Sequence, residues 1–215
     1  MLSEDELTAR TAYDRVAAEY AQAFPDLAAE TPGDRALIAE LARRVGGGGP
    51  LLDVGCGTGR VARHLTALGL PVVGMDLSRG MVGEARQLQP GLPLVVGSIT
   101  RLPFASATAA GLLAWYSIIH TAPGDLPQVL ADVARVLAVG APVLVAFQAG
   151  QGERIDRTGA FGHQVERTNY RHRVEHVSDL LVDQGITVTD RVVRPPVAAY
   201  ETTAQAFLLG FRGRA

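Results

Sequence analysis

Lysine is absent from this chain, and cysteine occurs only once. All 20 basic residues, among 215 residues in total, are arginine. Without a lysine amine, the chain cannot form a Schiff base or use a lysine as general base. The one cysteine, Cys56, excludes an intramolecular disulfide and therefore a secreted framework held by disulfides. These absences remove several classes of enzyme and of small extracellular domain.

The chain also has no long apolar run and no strong excess of charge of either sign. Its longest largely apolar stretch, around residues 109–119, is well below the ~20 residues that span a bilayer. The first residues are polar and acidic, which does not fit a secretory signal. A net charge of −2 with a pI near 6.2 predicts no basic face for nucleic acid. We expect a cytoplasmic protein with no nucleic-acid or membrane partner, either a monomer or a homodimer.

The residues that are present suffice for one compact α/β domain. Hydrophobic residues make up 47% of the chain and charged residues 20%, which allows a sizeable core. Apolar runs typical of strands alternate with helical patterns, as in a parallel sheet covered by helices. Strands are predicted at 51–54, 72–75, 94–96, 111–116, 142–147, 186–193 and 204–211, and helices at 61–68, 81–88, 126–137 and 174–184. The last two strands have no helix between them and should pair antiparallel.

The most informative segment follows the first predicted strand. Residues 51–60 read Leu-Leu-Asp-Val-Gly-Cys-Gly-Thr-Gly-Arg, and the second predicted strand ends at Asp76. The alternating glycines allow a tight turn and a close approach of a ligand, and the next helix presents free amide groups. Their spacing, G-x-G-x-G, differs from the dinucleotide fingerprint G-x-G-x-x-G. The loop is therefore predicted to bind a small polar ligand other than a nicotinamide dinucleotide.

An acidic residue, three alternating glycines and a second acidic residue that ends the next strand resemble the first two motifs of class I S-adenosylmethionine-dependent methyltransferases. The resemblance covers residues 10–150 well and the remainder in outline. It implies an α/β fold with a three-layer, Rossmann-like, seven-stranded and mostly parallel sheet whose last strand is antiparallel. It also implies S-adenosyl-L-methionine as cofactor and S-adenosyl-L-homocysteine as product. The N-terminal helices would span 1–45 and the methyltransferase domain 46–215, with 148–173 as an insertion on the substrate side.

The resemblance also assigns contacts to the cofactor. The glycine loop would lie against its methionine and ribose parts, and Asp76 would accept hydrogen bonds from the ribose hydroxyls. Ser98 stands where the family usually has an acidic residue for the adenine amino group, so a weaker, neutral bond is expected there. The predicted cofactor-binding residues are Tyr13, Tyr20, Asp53, Gly55, Cys56, Gly57, Gly59, Asp76, Leu77, Met81, Ser98, Ile99 and Trp115.

Residues 11–24 predict a helix before the sheet, with one apolar and aromatic face. Tyr13, Val16, Ala17, Tyr20 and Phe24 share that face. A stripe that simply packs against the core is one interpretation. The resemblance implies another, in which the helix covers the cofactor and a tyrosine hydroxyl reaches the methionine carboxylate. The sequence does not rank Tyr13 against Tyr20.

The candidate catalytic residues are Tyr116, His120 and His163. Trp115 or Tyr116 can stabilise a sulfonium through an aromatic face, or both can be ordinary packing residues. His120 is the first candidate base for a hydroxyl or protonated amine acceptor, because histidine titrates near neutrality. The alternative is that His120 caps or packs the next helix. His163 is a second candidate for substrate binding or proton transfer.

Residues 148–173 have no clear place in the core. Alternating polarity over 164–174 predicts an added strand or hairpin over the pocket, and the five arginines of the segment are predicted to be solvated. The histidines at 163, 172 and 176 lack a cysteine or acidic cluster beside them, so no metal site is predicted. Glu201, before the last strand, is a weak candidate for the same pocket.

The resemblance implies methyl transfer to the O, N or C atom of an acceptor. A small molecule is the expected acceptor, because no second recognition domain or basic face suggests a macromolecule. The alternative is an S-adenosylmethionine-binding protein of the same fold with a non-methylating role, such as cyclisation or regulatory binding. An NAD-dependent oxidoreductase is disfavoured by the glycine spacing. A non-enzymatic protein with a decayed site is the remaining possibility.

Overall fold

The computed structural model describes residues 2–214 and begins with two helices. They are α1 (Glu4–Ala23) and α2 (Pro32–Arg44), separated by a short 3₁₀ turn, Leu27–Ala29. The side chain of Ser3 accepts a hydrogen bond from the Glu6 amide, and the Glu6 carboxylate accepts one from the Ser3 amide. This capping box starts α1 at Glu4 instead of residue 11, the start predicted from the apolar face. The first turns of α1 are acidic, so an apolar periodicity does not detect them.

Seven strands form the central sheet. They are β1 (Leu51–Val54), β2 (Val72–Asp76), β3 (Leu94–Val96), β4 (Gly111–Trp115), β5 (Pro142–Gln148), β8 (Ile186–Arg194) and β9 (Gln205–Arg212). Their order in the sheet is β3-β2-β1-β4-β5-β9-β8. Strand β9 runs antiparallel to both of its neighbours, and the pairs among β1 to β5 are parallel. The predicted fold class, including the reversed last strand, is confirmed.

Helices cover both faces of this sheet. They are α3 (Arg60–Ala67), α4 (Arg79–Leu88), α5 (Leu126–Val136) and α6 (Val174–Asp183), together with α2. Successive side chains of a strand point to opposite faces. Leu52 and Val54 of β1 accordingly pack with α5 and α6, whereas Leu51 packs with α2 and α3. Because both faces are buried, the central strands read as continuous apolar runs.

A separate two-stranded hairpin is inserted between β5 and α6. Its strands are β6 (Arg154–Ala160) and β7 (His163–Tyr170), which pair antiparallel. The alternating polarity noted over 164–174 corresponds to β7. Among the described residues, no helix has the length and apolar character needed to cross a membrane.

Candidate active site

A cavity of about 560 Å³ opens at the carboxyl ends of the parallel strands. This volume is in the range of small-molecule sites, and in open α/β sheets ligands bind at this edge. The loop after β1, the ends of β2 and β4, helix α1 and the β6–β7 hairpin surround it. We call it the central cavity.

The glycine loop forms one wall of the central cavity. Gly55 has a φ of +77°, and a Cβ atom there would lie 2.3 Å from the Cβ of Ser117. Gly57 has a φ of +55°, and a Cβ atom there would meet only the Tyr20 ring, at 3.9 Å. Glycine is thus required at 55 by contact with the segment after β4, and at 57 it keeps the backbone open toward the cavity.

Asp76 lies at the end of β2, directly beside the glycine loop. Its Oδ2 accepts a hydrogen bond from the Gly57 amide and its Oδ1 one from the Ser78 amide, both at 2.8 Å. Burial raises the pKa of this carboxyl. A carboxylate has about four acceptor positions, so roughly two remain for a ligand.

Helix α1 closes the cavity through polar side chains. The Tyr13 hydroxyl lies 3.0 Å from Nε2 of His120. Asp14 accepts hydrogen bonds from the Ser78 hydroxyl at 2.6 Å and from the Gly80 amide at 2.8 Å. The apolar face predicted for this helix is present, since Val16 and Ala17 are buried.

The hydrogen bonds of His120 define its tautomer. Its Nδ1 lies 2.8 Å from the Thr168 carbonyl, which only accepts, so Nδ1 carries the proton. Nε2 then accepts from the Tyr13 hydroxyl. Burial lowers the pKa of His120 to about 4, which keeps the ring neutral at pH 7.

The two aromatic residues at the end of β4, Trp115 and Tyr116, differ in their burial. Trp115 is buried, donates from Nε1 to Glu30 at 3.2 Å and packs on Phe207. Tyr116 has a φ of 59°, an uncommon and strained conformation for a bulky residue. Burial raises the pKa of Tyr116. Both side chains line the cavity.

Ser98 hydrogen-bonds to an acidic residue of another element. Its hydroxyl donates to Oε1 of Glu6, which also accepts from the Thr100 hydroxyl at 3.0 Å. Glu6 belongs to α1 and is 8% exposed. A carboxylate therefore does lie at this end of the cavity, although no acidic residue ends β3.

Comparisons with known proteins find similarity to methyltransferases. Residues 51–140 match the sequence profile of a family described as a methyltransferase domain. The chain is 34% identical over 102 residues to a malonyl-[acyl-carrier protein] O-methyltransferase of Serratia marcescens, a match that spans 47% of this chain and 39% of that relative. It is 33% identical over 96 residues to a demethylmenaquinone methyltransferase of Beutenbergia cavernae, a match that spans 45% of this chain and 39% of that relative. These similarities relate residues 51–140 of this chain to S-adenosylmethionine-dependent methyltransferases.

Solved structures share the methyltransferase fold over most of the chain. An S-adenosylmethionine-dependent methyltransferase of Methanosarcina mazei has a TM-score of 0.70 at 15% identity and covers 80% of this chain and 97% of its own. The [4+2]-cyclase SpnF has a TM-score of 0.71 at 16% identity, with 100% and 99% covered. At these identities the likeness concerns the fold alone. The chain spans less than half of the length of the two curated relatives.

Four of the residues predicted for this methyltransferase site do not line the central cavity. Asp53 is buried beneath the loop, neither of its oxygens has a hydrogen-bond partner among the described residues, and burial raises its pKa to about 7. Cys56 is also buried, and burial raises its pKa. Gly59 packs against Ala85 of α4. His163 binds Glu19 of α1 at 3.0 Å.

The remaining predicted residues meet at one site. They are Tyr13, Tyr20, Gly55, Gly57, Asp76, Leu77, Met81, Ser98, Ile99, Trp115, Tyr116 and His120. Glu201, the weak candidate, also lines the cavity. Within residues 2–214 no group of three or more histidine, cysteine, aspartate or glutamate side chains is arranged to hold a metal.

Two ion-pair groups in the cavity wall contain residues that were not predicted from the sequence, namely Arg60, Glu30, Arg194 and Asp34. Arg60 donates to Glu30, the residue that also holds Trp115. Arg194 donates to Asp34 at 2.8 and 2.9 Å and to Glu201 at 2.7 and 2.8 Å. These hydrogen bonds raise the pKa of Arg194. The only local signal was that Arg60 directly follows the third glycine of the loop.

Proposed function

We propose that this protein is a methyltransferase that transfers a methyl group from S-adenosyl-L-methionine to a small molecule in the central cavity. The observation that carries the proposal is the position of Asp76 beside Gly57, with about two acceptor positions free and no Cβ in the way. Hydroxyl pairs, such as those of a ribose, are suitable donors for these positions.

The residues around the carboxylate fit the other parts of that cofactor. Leu77, Met81 and Ile99 supply apolar walls beside Asp76, and Ser98 with Glu6 supplies polar acceptors at the far end. On the opposite side, the hydroxyl of Tyr20 lies in the region of Arg60, a suitable neighbour for a carboxylate. When bound, S-adenosyl-L-methionine supplies an activated methyl group on a positively charged sulfur.

The chain's own contribution is alignment and, for some acceptors, removal of a proton. Two partners held in one cavity can react with effective molarities of ~10⁵ M or more. His120 is neutral at pH 7, and its Nε2 is reached through the hydroxyl of Tyr13. An acceptor hydroxyl that donates a hydrogen bond to the Tyr13 hydroxyl can therefore pass its proton to neutral His120 through that hydroxyl.

The enclosure of the cavity supports a small acceptor. Helix α1 covers the glycine loop, and the β6–β7 hairpin covers the neighbouring part of the cavity. The names of the two curated relatives give malonyl-[acyl-carrier protein] and demethylmenaquinone as their substrates, which is compatible with an acceptor other than a nucleic acid here. We place the protein in the cytoplasm.

The test has two stages. Calorimetric titration with S-adenosyl-L-homocysteine should give a dissociation constant in the micromolar range. Small hydroxyl, amine and carbon acceptors are then screened for acceptor-dependent release of S-adenosyl-L-homocysteine from S-adenosyl-L-methionine. No binding of either compound contradicts the proposal. If the protein binds S-adenosyl-L-homocysteine tightly and converts a substrate without adding a methyl group to it, the non-methylating alternative is established instead.

A further inference from the structure

Two arginines of the hairpin lie directly opposite each other and face the central cavity. Arg157 of β6 pairs with Arg167 of β7 in the register. Residues directly opposite in an antiparallel pair share a face, with Cβ atoms ~4.5 to 5.5 Å apart. Both arginines line the cavity and are half-buried. Because like charges in this position destabilise a hairpin, folding alone does not account for the pair.

Neither guanidinium forms a salt bridge within the described residues 2–214. Arg157 donates to the hydroxyl of Thr202 at 3.2 Å. Arg167 donates to the carbonyl of Gly159 at 3.5 Å, the upper limit for a hydrogen bond. Because both acceptors are neutral, no negatively charged group in these contacts balances the charge of either arginine.

The carboxylates of the cavity are engaged elsewhere. They are Glu6, Glu30, Asp34, Asp76 and Glu201, and each accepts hydrogen bonds from a hydroxyl, an arginine or backbone amides. None of them forms an ion pair with the hairpin. The expectation that the five arginines of this segment are solvated does not hold for these two.

A buried amide beside the pair also lacks a partner. Asn169 follows Arg167 by two positions on β7, so it lies on the same face, and it is 6% exposed. Its Oδ1 has no hydrogen-bond partner within residues 2–214, and the residue lines the cavity. Buried polar atoms are usually satisfied, so an unpaired amide in a cavity wall indicates a polar ligand.

Building on the proposed function, we propose that Arg157 and Arg167 bind an oxyanion of the methyl acceptor, a carboxylate or a phosphate. A guanidinium matches both groups through two parallel hydrogen bonds. The acceptor is thus a small organic anion, with Asn169 contacting a polar group next to the charge.

The pair is close to the candidate proton acceptor. Burial is the main cause of the lowered pKa of His120, and the charge of Arg167 lowers it further. Arg167 also acts on the pKa of Tyr13, which burial raises. An oxyanion on the pair offsets this positive charge and makes His120 more basic when the acceptor is bound.

The test compares benzoate with benzamide, which have similar shapes but differ in charge. Wild-type protein is titrated with each by calorimetry, both free and saturated with S-adenosyl-L-homocysteine. Benzoate should bind about tenfold more tightly or better, because its carboxylate is oppositely charged and accepts two parallel hydrogen bonds from a guanidinium, whereas benzamide offers one neutral acceptor oxygen. The double variant Arg157→Gln/Arg167→Gln should lose the preference for benzoate over benzamide. Each single variant should lose part of it. Arg191→Gln, an exposed position on β8, is the matched control and should retain it.

Equal affinities for benzoate and benzamide in wild type would overturn the proposal, as would a preference that survives in the double variant. A loss of S-adenosyl-L-homocysteine affinity in that variant would overturn it too, because the pair would then bind the methionine carboxylate. The thermal unfolding midpoint of the double variant should be no lower than that of wild type, because the repulsion between the two arginines is removed. Failure of wild type to bind S-adenosyl-L-homocysteine would refute the proposed function, whereas the titrations of free protein still decide the anion site.

Discussion

Replacing Asp76 with alanine should weaken cofactor binding without unfolding the protein. The carboxylate accepts two backbone amides at 2.8 Å, which leaves about two acceptor positions for ligand hydroxyls. A hydrogen bond to a charged group contributes ~1.5 to 3 kcal/mol. Loss of two such bonds is worth at least ~3 kcal/mol, which corresponds to a decrease in affinity of about 100-fold.

The stability of the Asp76→Ala variant should change little, for two opposing reasons. Burial raises the pKa of this carboxyl, so its charge is unfavourable in the folded protein and its removal is a gain. The amides of Gly57 and Ser78 lose their acceptor, but water in the cavity can replace it. We expect a thermal midpoint within a few degrees of that of wild type.

Calorimetric titration with S-adenosyl-L-homocysteine measures the first effect and thermal unfolding the second. Asp76→Asn should give an intermediate affinity, because one neutral acceptor oxygen remains. Asp183→Ala, at the exposed end of α6, is the control for loss of a carboxylate away from the cavity. An Asp76→Ala variant that binds within a factor of about three of wild type would show that the ribose does not lie here.

Three further predictions follow from the same geometry. Gly55→Ala should lower the free energy of unfolding in urea by ~2 to 5 kcal/mol, because the new Cβ atom clashes with Ser117 and the residue keeps a positive φ. Gly69 has a φ of +87° and open space around it, so Gly69→Ala should show only the part of this loss that comes from the positive φ. The pKa of His120 is about 4 in the folded protein and near 6.5 in the unfolded chain, so between these pH values mainly the unfolded chain binds a proton. The free energy of unfolding should therefore fall by ~3 kcal/mol from pH 6.5 to 4. The decrease should be less steep in His120→Gln. Arg194→Gln removes the cation that pairs with buried Asp34 and half-buried Glu201 and should lower the free energy of unfolding by about 3 kcal/mol, an effect that wild-type stability in this variant would contradict.

The order of elements could be predicted because burial on both faces leaves a direct mark on the sequence. Residues 142–147 contain no polar side chain, and the observed strand β5 extends only one residue further, to Gln148. The end of β4 was predicted at Tyr116, but the strand stops at Trp115 because Tyr116 has a positive φ. Apolar patterns carry no information on such a turn.

The polar framework of the cavity could be predicted only in part. Asp76 and Gly57 form a local motif, so they were found. Arg194 and Asp34 are separated by 160 positions, and no periodicity in either segment connects them. The two hairpin arginines were expected in solvent because a charge in a polar segment is usually solvated. Which face of β6 and β7 meets the cavity is decided by the register and by α1, neither of which a single sequence specifies.

Helix α1 is attached to the protein mainly through the walls of the cavity that it covers. Its buried side chains belong to neither of the two large core clusters on the sheet. Instead, Asp14 binds the start of α4, Tyr13 binds His120, and Glu19 binds His163 of the hairpin. Such bonds contribute ~0.5 to 1.5 kcal/mol each, much less than a packed core helix gains from burial. Because both His120 and the hairpin bind this one helix, the hydrogen bond between Tyr13 and His120 requires α1 to lie over the cavity.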